Sequence, residues 1–168
     1  MLDPLEGEGS GGAGGWYEAL EASKGDARMT KVNLSTKLAV PAQAVWSVIG
    51  SFNGLPDWHP AIEKSEQTEE AGATVRTLSL AGGGTIVERL EHVDDTERSY
   101  TYSILSGPLP VADYVATLRV RANEGGLGCT IEWSSEFTPT GAPESDAVAA
   151  IRGVYEAGFE NLKRMFGG

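Results

Sequence analysis

Residues 74–91 read TVRTLSLAGGGTIVERLE, two alternating runs joined by three glycines. Side chains along a strand point alternately to opposite faces, so this pattern marks a hairpin with one apolar and one wet face. The even positions carry Arg76, Leu78 and Leu80 on the way out, then Ile86, Glu88 and Leu90 on the way back. The odd positions, Thr77, Ser79, Thr85, Val87, Arg89 and Glu91, are mostly polar. The even face should therefore cover a core, yet it holds an arginine and a glutamate. A three-glycine turn keeps Arg76 on the Glu88 face, whereas a two- or four-residue turn would set it beside Arg89.

The alternation extends on both sides of the hairpin. Residues 31–40 read as a first strand and residues 61–69 as a second. Residues 98–105 place Tyr100, Tyr102 and Ile104 on one face. Residues 112–122 place Ala112, Tyr114, Ala116, Leu118 and Val120 inward, and residues 129–137 do the same with Cys129, Ile131, Trp133 and Phe137. Between the first two strands, VPAQAVWSVIGSF suits a helix that begins at Pro41, with Val45, Trp46, Ile49 and Phe52 on one side. NGLPDWHPAIEK, with two prolines, suits a broken helical connection.

The period then changes. Val148, Ile151, Tyr155, Phe159, Leu162 and Phe166 recur at intervals of three and four, which is one face of a long helix. Glu144 and Asp146 in its first turn and Lys163 and Arg164 in its last complement the helix dipole. Ala149, Ala150, Gly153, Ala157 and Gly158 are small enough to let it approach another surface closely. The expected fold class is α+β: a strand, two short helical pieces, six antiparallel strands and a long C-terminal helix that the sheet's apolar face curls around.

Composition narrows the function. The chain has 168 residues and a net charge of −11, which argues against a nucleic-acid binder and against docking on anionic membranes. No apolar run approaches the ~20 residues of a membrane span. A single cysteine, Cys129, allows no internal disulfide and reads as a small buried hydrophobe. Two histidines and one cysteine without close spacing give no support for a metal site. The triple glycine lacks the lysine and the following helix of a phosphate loop, and no GxSxG nucleophile motif occurs. Residues 1–29 are glycine-rich and acidic and read as a flexible extension, with Trp16 as its candidate anchor; residues 30–168 read as the compact domain. The extension has no signal-peptide core, so a cytoplasmic location is expected.

The order of elements, with WHPAI, GGGTIVERLEHVDD, YTYSIL, PVADYVATL, IEWSSEF and a closing helix, resembles the polyketide cyclase/dehydrase group of the START-like, Bet v 1-like superfamily. The resemblance covers residues 30–166. It implies a helix-grip fold, a seven-stranded sheet around the C-terminal helix, with an apolar cavity between them. Abscisic acid receptors of that superfamily are similar in their glutamate-arginine-leucine stretch. Their gate and latch signatures are missing here, where the loops read LAGGG and SGPLPV. Lachrymatory factor synthase is more similar. Its catalytic arginine and glutamate fall on Arg76 and Glu88, its pocket tyrosine and tryptophan on Tyr114 and Trp133, and a last-helix aromatic on Tyr155. Its hairpin phenylalanine falls on Gly84, a departure expected to widen the pocket.

The residues and the resemblance together make Arg76 and Glu88 the candidate catalytic pair. Burial raises a carboxyl pKa and a neighbouring arginine lowers it, so such a glutamate can be tuned to move a proton. The arginine would orient or stabilise a substrate oxyanion. The bland alternative is a buried ion pair that sets strand register and adds little stability. Leu78, Tyr102, Tyr114, Trp133, Phe137, Ile151, Tyr155 and Phe159 are the expected ligand-binding residues, with Tyr100 in the core or at the rim. Trp58 is expected to pack under the short helix. His59 reads as an ordinary loop residue in preference to a general base, and His92 as solvated. The expected function is a cofactor-free cyclase, dehydratase or isomerase acting on a hydrophobic, oxygenated small molecule. The alternative is a carrier or sensor that binds such a molecule and does no chemistry. Ligand identity and oligomeric state stay open.

Overall fold

The computed structural model describes residues 29–167. The N-terminal extension, Trp16 included, lies outside the described residues. The chain runs β1 (Thr30–Leu38), α1 (Ala42–Ile49), a 3₁₀ segment (Phe52–Asp57), β2 (Ile62–Glu70), β3 (Ala73–Leu80), β4 (Thr85–Asp94), β5 (Ser99–Ser106), β6 (Val111–Ala122), β7 (Cys129–Pro139) and α2 (Glu144–Phe166). The seven strands form one antiparallel sheet in the order β1-β7-β6-β5-β4-β3-β2. This is the expected helix-grip architecture.

The β3–β4 turn settles the register. The Leu80 N–H donates to the Gly84 carbonyl and the Gly83 N–H to the Leu80 carbonyl, each at 3.0 Å. Gly82, Gly83 and Gly84 have φ of 89°, 107° and 103°, a region open to glycine and strained for other residues. That closure pairs Arg76 with Glu88 and Leu78 with Ile86. Register irregularities interrupt the ladders at Val87/Glu88, Leu90/His92 and Ala112/Val115. An extra residue bends its strand and re-aims its neighbours. At the last of these, Asp113 has φ of 54°, and Tyr114 beside it is buried.

Helix α2 supplies the other half of the core. Its buried residues are Ala147, Ile151, Tyr155, Gly158, Phe159 and Leu162. The stripe is thus turned slightly from the expected one, and Val148 and Phe166 are only half-buried. Gly167, at φ 72°, caps the helix by donating its N–H to the Lys163 carbonyl. The small residues behave differently from one another. A Cβ on Gly158 would lie 2.9 Å from Trp58 Cζ3, 3.0 Å from His59 Cδ2 and 3.2 Å from Trp133 Cζ3. A Cβ on Gly153 would meet nothing within 4 Å, so the expected close approach exists at Gly158 and not at Gly153. No helix among the described residues is long and apolar enough to cross a membrane.

These two glycines give opposite predictions. Gly153→Ala should stabilise by about 0.5–1 kcal/mol, because alanine loses less backbone entropy in a helix. Gly158→Ala gains the same helix term but must push three aromatic rings apart, at about 1–3 kcal/mol. Thermal unfolding of the two variants should therefore shift the midpoint up for the first and down for the second.

Candidate functional site

Arg76 and Glu88 are buried to 1% and 7% side-chain exposure, facing each other across β3 and β4. The arginine Nε donates to Glu88 Oε1 at 2.8 Å, and Nη2 lies 2.7 Å from the same oxygen. Nη1 donates to the backbone carbonyl of Phe52, in the 3₁₀ segment. Aromatic faces enclose the guanidinium: its central carbon lies 4.0 Å from the Phe52 ring centroid, 5.1 Å from that of Tyr102 and 5.7 Å from that of Tyr100. Ring faces are electron-rich and attract a cation, more so when water is excluded. Burial opposes the arginine's charge, but the tyrosines and Glu88 outweigh it and hold its pKa above the ordinary value. For Glu88 burial dominates, and its pKa is raised despite the attraction of Arg76.

Both arginine contacts reach Oε1, so Glu88 Oε2 takes part in neither. Glu88 lines a cavity of about 200 Å³ between the sheet and α2. Leu78 and Leu80 of β3, Ile86 of β4, Tyr102 and Ile104 of β5 and Tyr114 of β6 form its sheet side. Ile151 and Val154 form its helix side, and His59, Ala61, Ile62, Ala81 and Leu109 complete it. Apart from Glu88 and His59, the polar side chains at the wall are the two tyrosines.

Those tyrosines belong to a buried chain of polar tips. Trp133 Nε1 donates to the Tyr102 hydroxyl at 3.1 Å. The Tyr102 and Tyr114 hydroxyls lie 3.4 Å apart, and those of Tyr114 and Tyr155 2.5 Å apart. Burial raises the pKa of all three phenols, so each stays protonated and able to donate near neutral pH. An indole N–H can only donate, so Tyr102 receives that bond and keeps its own O–H for Tyr114 or a ligand.

His59 corrects the expectation of an ordinary loop residue. It is 2% exposed, with Nε2 2.7 Å from the Val154 carbonyl and Nδ1 accepting the Ala61 N–H at 3.2 Å. A nitrogen that accepts an N–H carries no proton, so the proton sits on Nε2 and is given to Val154. Burial lowers its pKa, and the neutral ring has no nitrogen left for substrate. It fastens the 3₁₀ connection to α2, and the His-Pro-Ala spacing carried no sign of this.

Of the expected site residues, the structure brings Glu88, Leu78, Tyr102, Tyr114 and Ile151 to the cavity wall. Trp133, Phe137, Tyr155 and Phe159 form a layer behind it. Trp133 stacks on Tyr155 with centroids 4.3 Å apart, and Phe137 stacks on Tyr114 at 6.0 Å. Trp133, Tyr155 and Phe159 pack on one another, and Phe137 backs the wall residue Tyr114. Arg76 also stands behind, its contacts directed at Glu88 and Phe52 instead of at an expected substrate oxyanion. Tyr100 is core, against Phe52 and Trp46, and Trp58 packs on Trp133. Gly84 has no side chain to offer the wall, and a Cβ there would lie 3.5 Å from Cδ1 of the lining residue Leu80. Leu80, Ile86 and Ile104 were legible as inward-facing, whereas Leu109 and Val154 carried no periodic signal toward the cavity.

The profile of the family described as polyketide cyclase / dehydrase and lipid transport matches residues 29–167. The chain belongs to this family. An uncharacterized protein of Bacillus thuringiensis is 38% identical, with a TM-score of 0.78 over 83% of this chain and 100% of that one. The protein XoxI of Bacillus cereus is 39% identical, with a TM-score of 0.77 over 82% and 95%. The ZhuI aromatase/cyclase of a Streptomyces species is 22% identical, with a TM-score of 0.62 over 82% and 96%, and shares the fold. No curated protein matched.

Arg76 pulls the Glu88 pKa down against burial, so Arg76→Met should move the Glu88 titration upward. Carboxyl carbon shifts in glutamate-labelled protein would read it. A buried carboxylate left without its cation costs about 3–5 kcal/mol. In the variant this loss is present above the new midpoint and shrinks as pH falls through it, because the neutral acid needs no counter-ion.

Proposed function

We propose that the protein is a cofactor-independent enzyme of the cyclase, dehydratase or isomerase type, with Glu88 as general acid/base in the cavity. The observation that carries this reading is a buried carboxyl group at the wall of an apolar cavity, held through one oxygen by Arg76. Arg76 acts through Glu88: it is a positioning residue. Tyr102 and Tyr114 are the groups that bond substrate oxygens.

The chemistry follows from these parts. Ionised Glu88 takes a proton from a carbon beside a substrate carbonyl, and the C–H electron pair moves onto the carbonyl oxygen. A tyrosine hydroxyl donates to that developing oxyanion, a role worth about 10²–10³ in rate for a single well-aimed donor. The protonated Glu88 then returns its proton, either to another carbon, which isomerises the substrate, or to a neighbouring hydroxyl, which leaves as water. General acid/base transfer of this kind contributes about 10²–10⁴.

A carrier of a hydrophobic molecule is the second reading, favoured by the largely apolar wall. The two part on what Glu88 does. Incubating the protein with oxygenated hydrophobic compounds and following product mass should show conversion by the wild type, with kcat reduced about 10²–10⁴-fold in Glu88→Gln. Because burial lifts the Glu88 pKa above its ordinary 4.5, the base form is lost as pH falls through that raised value. Turnover should fall with it and lose this limb in the variant. Binding without conversion by either protein would establish the carrier.

A further inference from the structure

The cavity's size, charge and hydrogen-bond character together define what it can hold, if it is the substrate site proposed above. A dry apolar cavity of about 150 Å³ accommodates benzene. About 200 Å³ therefore takes one ring with a few further atoms, and no fused polycycle.

The charge is restricted as firmly. Glu88 and His59 are the ionisable side chains at the wall. His59 has given both nitrogens to Val154 and Ala61. Arg76 lies behind Glu88, occupied with Oε1 and with the Phe52 carbonyl. No cation faces the cavity from the described residues, so an anionic ligand would be stripped of water without a partner and would oppose Glu88. A cationic ligand fares little better, because Arg76 already neutralises the carboxylate and a second positive charge would stay buried and unbalanced. What the wall does offer is hydroxyl donors. Tyr102 receives the Trp133 N–H, its bond to Tyr114 is long at 3.4 Å, and both hydroxyls belong to cavity-lining residues.

Size has a specific determinant. A second pocket, of about 350 Å³, lies against the first and shares Ile86, Ile104 and Leu109 with it. Two of these are on strands. Leu109 sits on the β5–β6 loop, whose carbonyl at 109 accepts the Val111 N–H at 2.8 Å. Gly107 of the same loop abuts Ile86 so closely that a Cβ there would lie 3.2 Å from its Cγ1. These three side chains border both pockets.

We propose that the cavity selects a neutral, carbonyl-bearing molecule of single-ring size, and that Leu109, with Ile86 and Ile104, sets the upper limit by closing off the second pocket. Tyr102 or Tyr114 donates to the carbonyl oxygen, and the ring lies against the apolar side chains of Leu78 and Ile151.

Binding to the full chain tests this without requiring turnover. The probes are acetophenone, benzoate, benzylamine and the three-ring ketone anthrone, followed by amide chemical-shift changes at lining residues in wild type, Glu88→Gln, Leu109→Ala and Ile104→Ala. Acetophenone should bind wild type at least tenfold more tightly than the other three. Leu109→Ala or Ile104→Ala should improve anthrone binding at least tenfold. Equal or tighter binding of benzoate or benzylamine would overturn the charge assignment. Anthrone binding to wild type as well as acetophenone does, or no gain in either opened and folded variant, would overturn the size limit. Glu88→Gln separates this proposal from the catalytic one. If it keeps the same ligand preference while the wild type converts nothing, the selection stands and the catalytic reading falls. If conversion occurs but the preference is absent, the reverse holds.

Discussion

An arginine at 1% exposure can persist only if its charge is answered on every side. Here the answer comes from three elements. Glu88 on β4 supplies the counter-charge, the Phe52 carbonyl in the 3₁₀ segment takes a further N–H, and rings from that segment and from β5 cover the guanidinium. Each of these partners is a constraint on architecture. The hairpin must pair 76 with 88, the 3₁₀ segment must bring its first residue, Phe52, to Arg76, and β5 must turn its tyrosines inward. A buried pair of this kind adds little to stability, since desolvation offsets the attraction. Its effect is on arrangement: moving β4 or the 3₁₀ segment away from Arg76 would leave part of a buried ion without a partner.

The same economy governs the polar tips around the cavity. Tyr102, Tyr114, Tyr155 and Trp133 would each be destabilising if buried alone, and they satisfy one another in a chain from β7 through β5 and β6 to α2. Gly158 makes the chain possible, because its missing side chain lets α2 settle against Trp58, His59 and Trp133. The stacked Trp133 and Tyr155 rings then span the gap between sheet and helix. The cavity is the part of the interface that this aromatic layer does not fill.

Much of this was legible in the sequence. The period of two, the change to a period near 3.6 and the triple glycine were enough for the sheet, the long helix and the inward pair. The resemblance to the polyketide cyclase/dehydrase group is matched by the family to which the chain belongs. What alternation could not distinguish is depth within one face. Tyr114 and Trp133 have the same inward parity, but Tyr114 reaches the cavity and Trp133 is stopped by Tyr155. Nor does parity say which atom a charged group will meet. Arg76 points inward as expected, then meets a backbone carbonyl, and backbone partners leave no trace in side-chain pattern. The role of His59 escapes the pattern for the same reason, since both its hydrogen bonds are to main-chain atoms. Leu109 lies in a loop of glycine and prolines with no period to read.

The contrast between Arg76 and Glu88 bears on what the pair is for. A pair serving only strand register would be sealed on both sides, with every oxygen and nitrogen turned to the protein. Arg76 is sealed in that way. Glu88 is engaged through one oxygen and set at the wall of a cavity whose other polar groups are protonated phenols. A site for holding a hydrophobic molecule gains nothing from a carboxyl group whose pKa is displaced by burial, because each ionisation would cost desolvation that apolar contacts do not return. Proton transfer does gain from it, since burial raises the pKa of the carboxyl and so strengthens it as a base. The asymmetry within the pair, one member enclosed and the other presented, is the physical argument that favours the proposed chemistry over carriage.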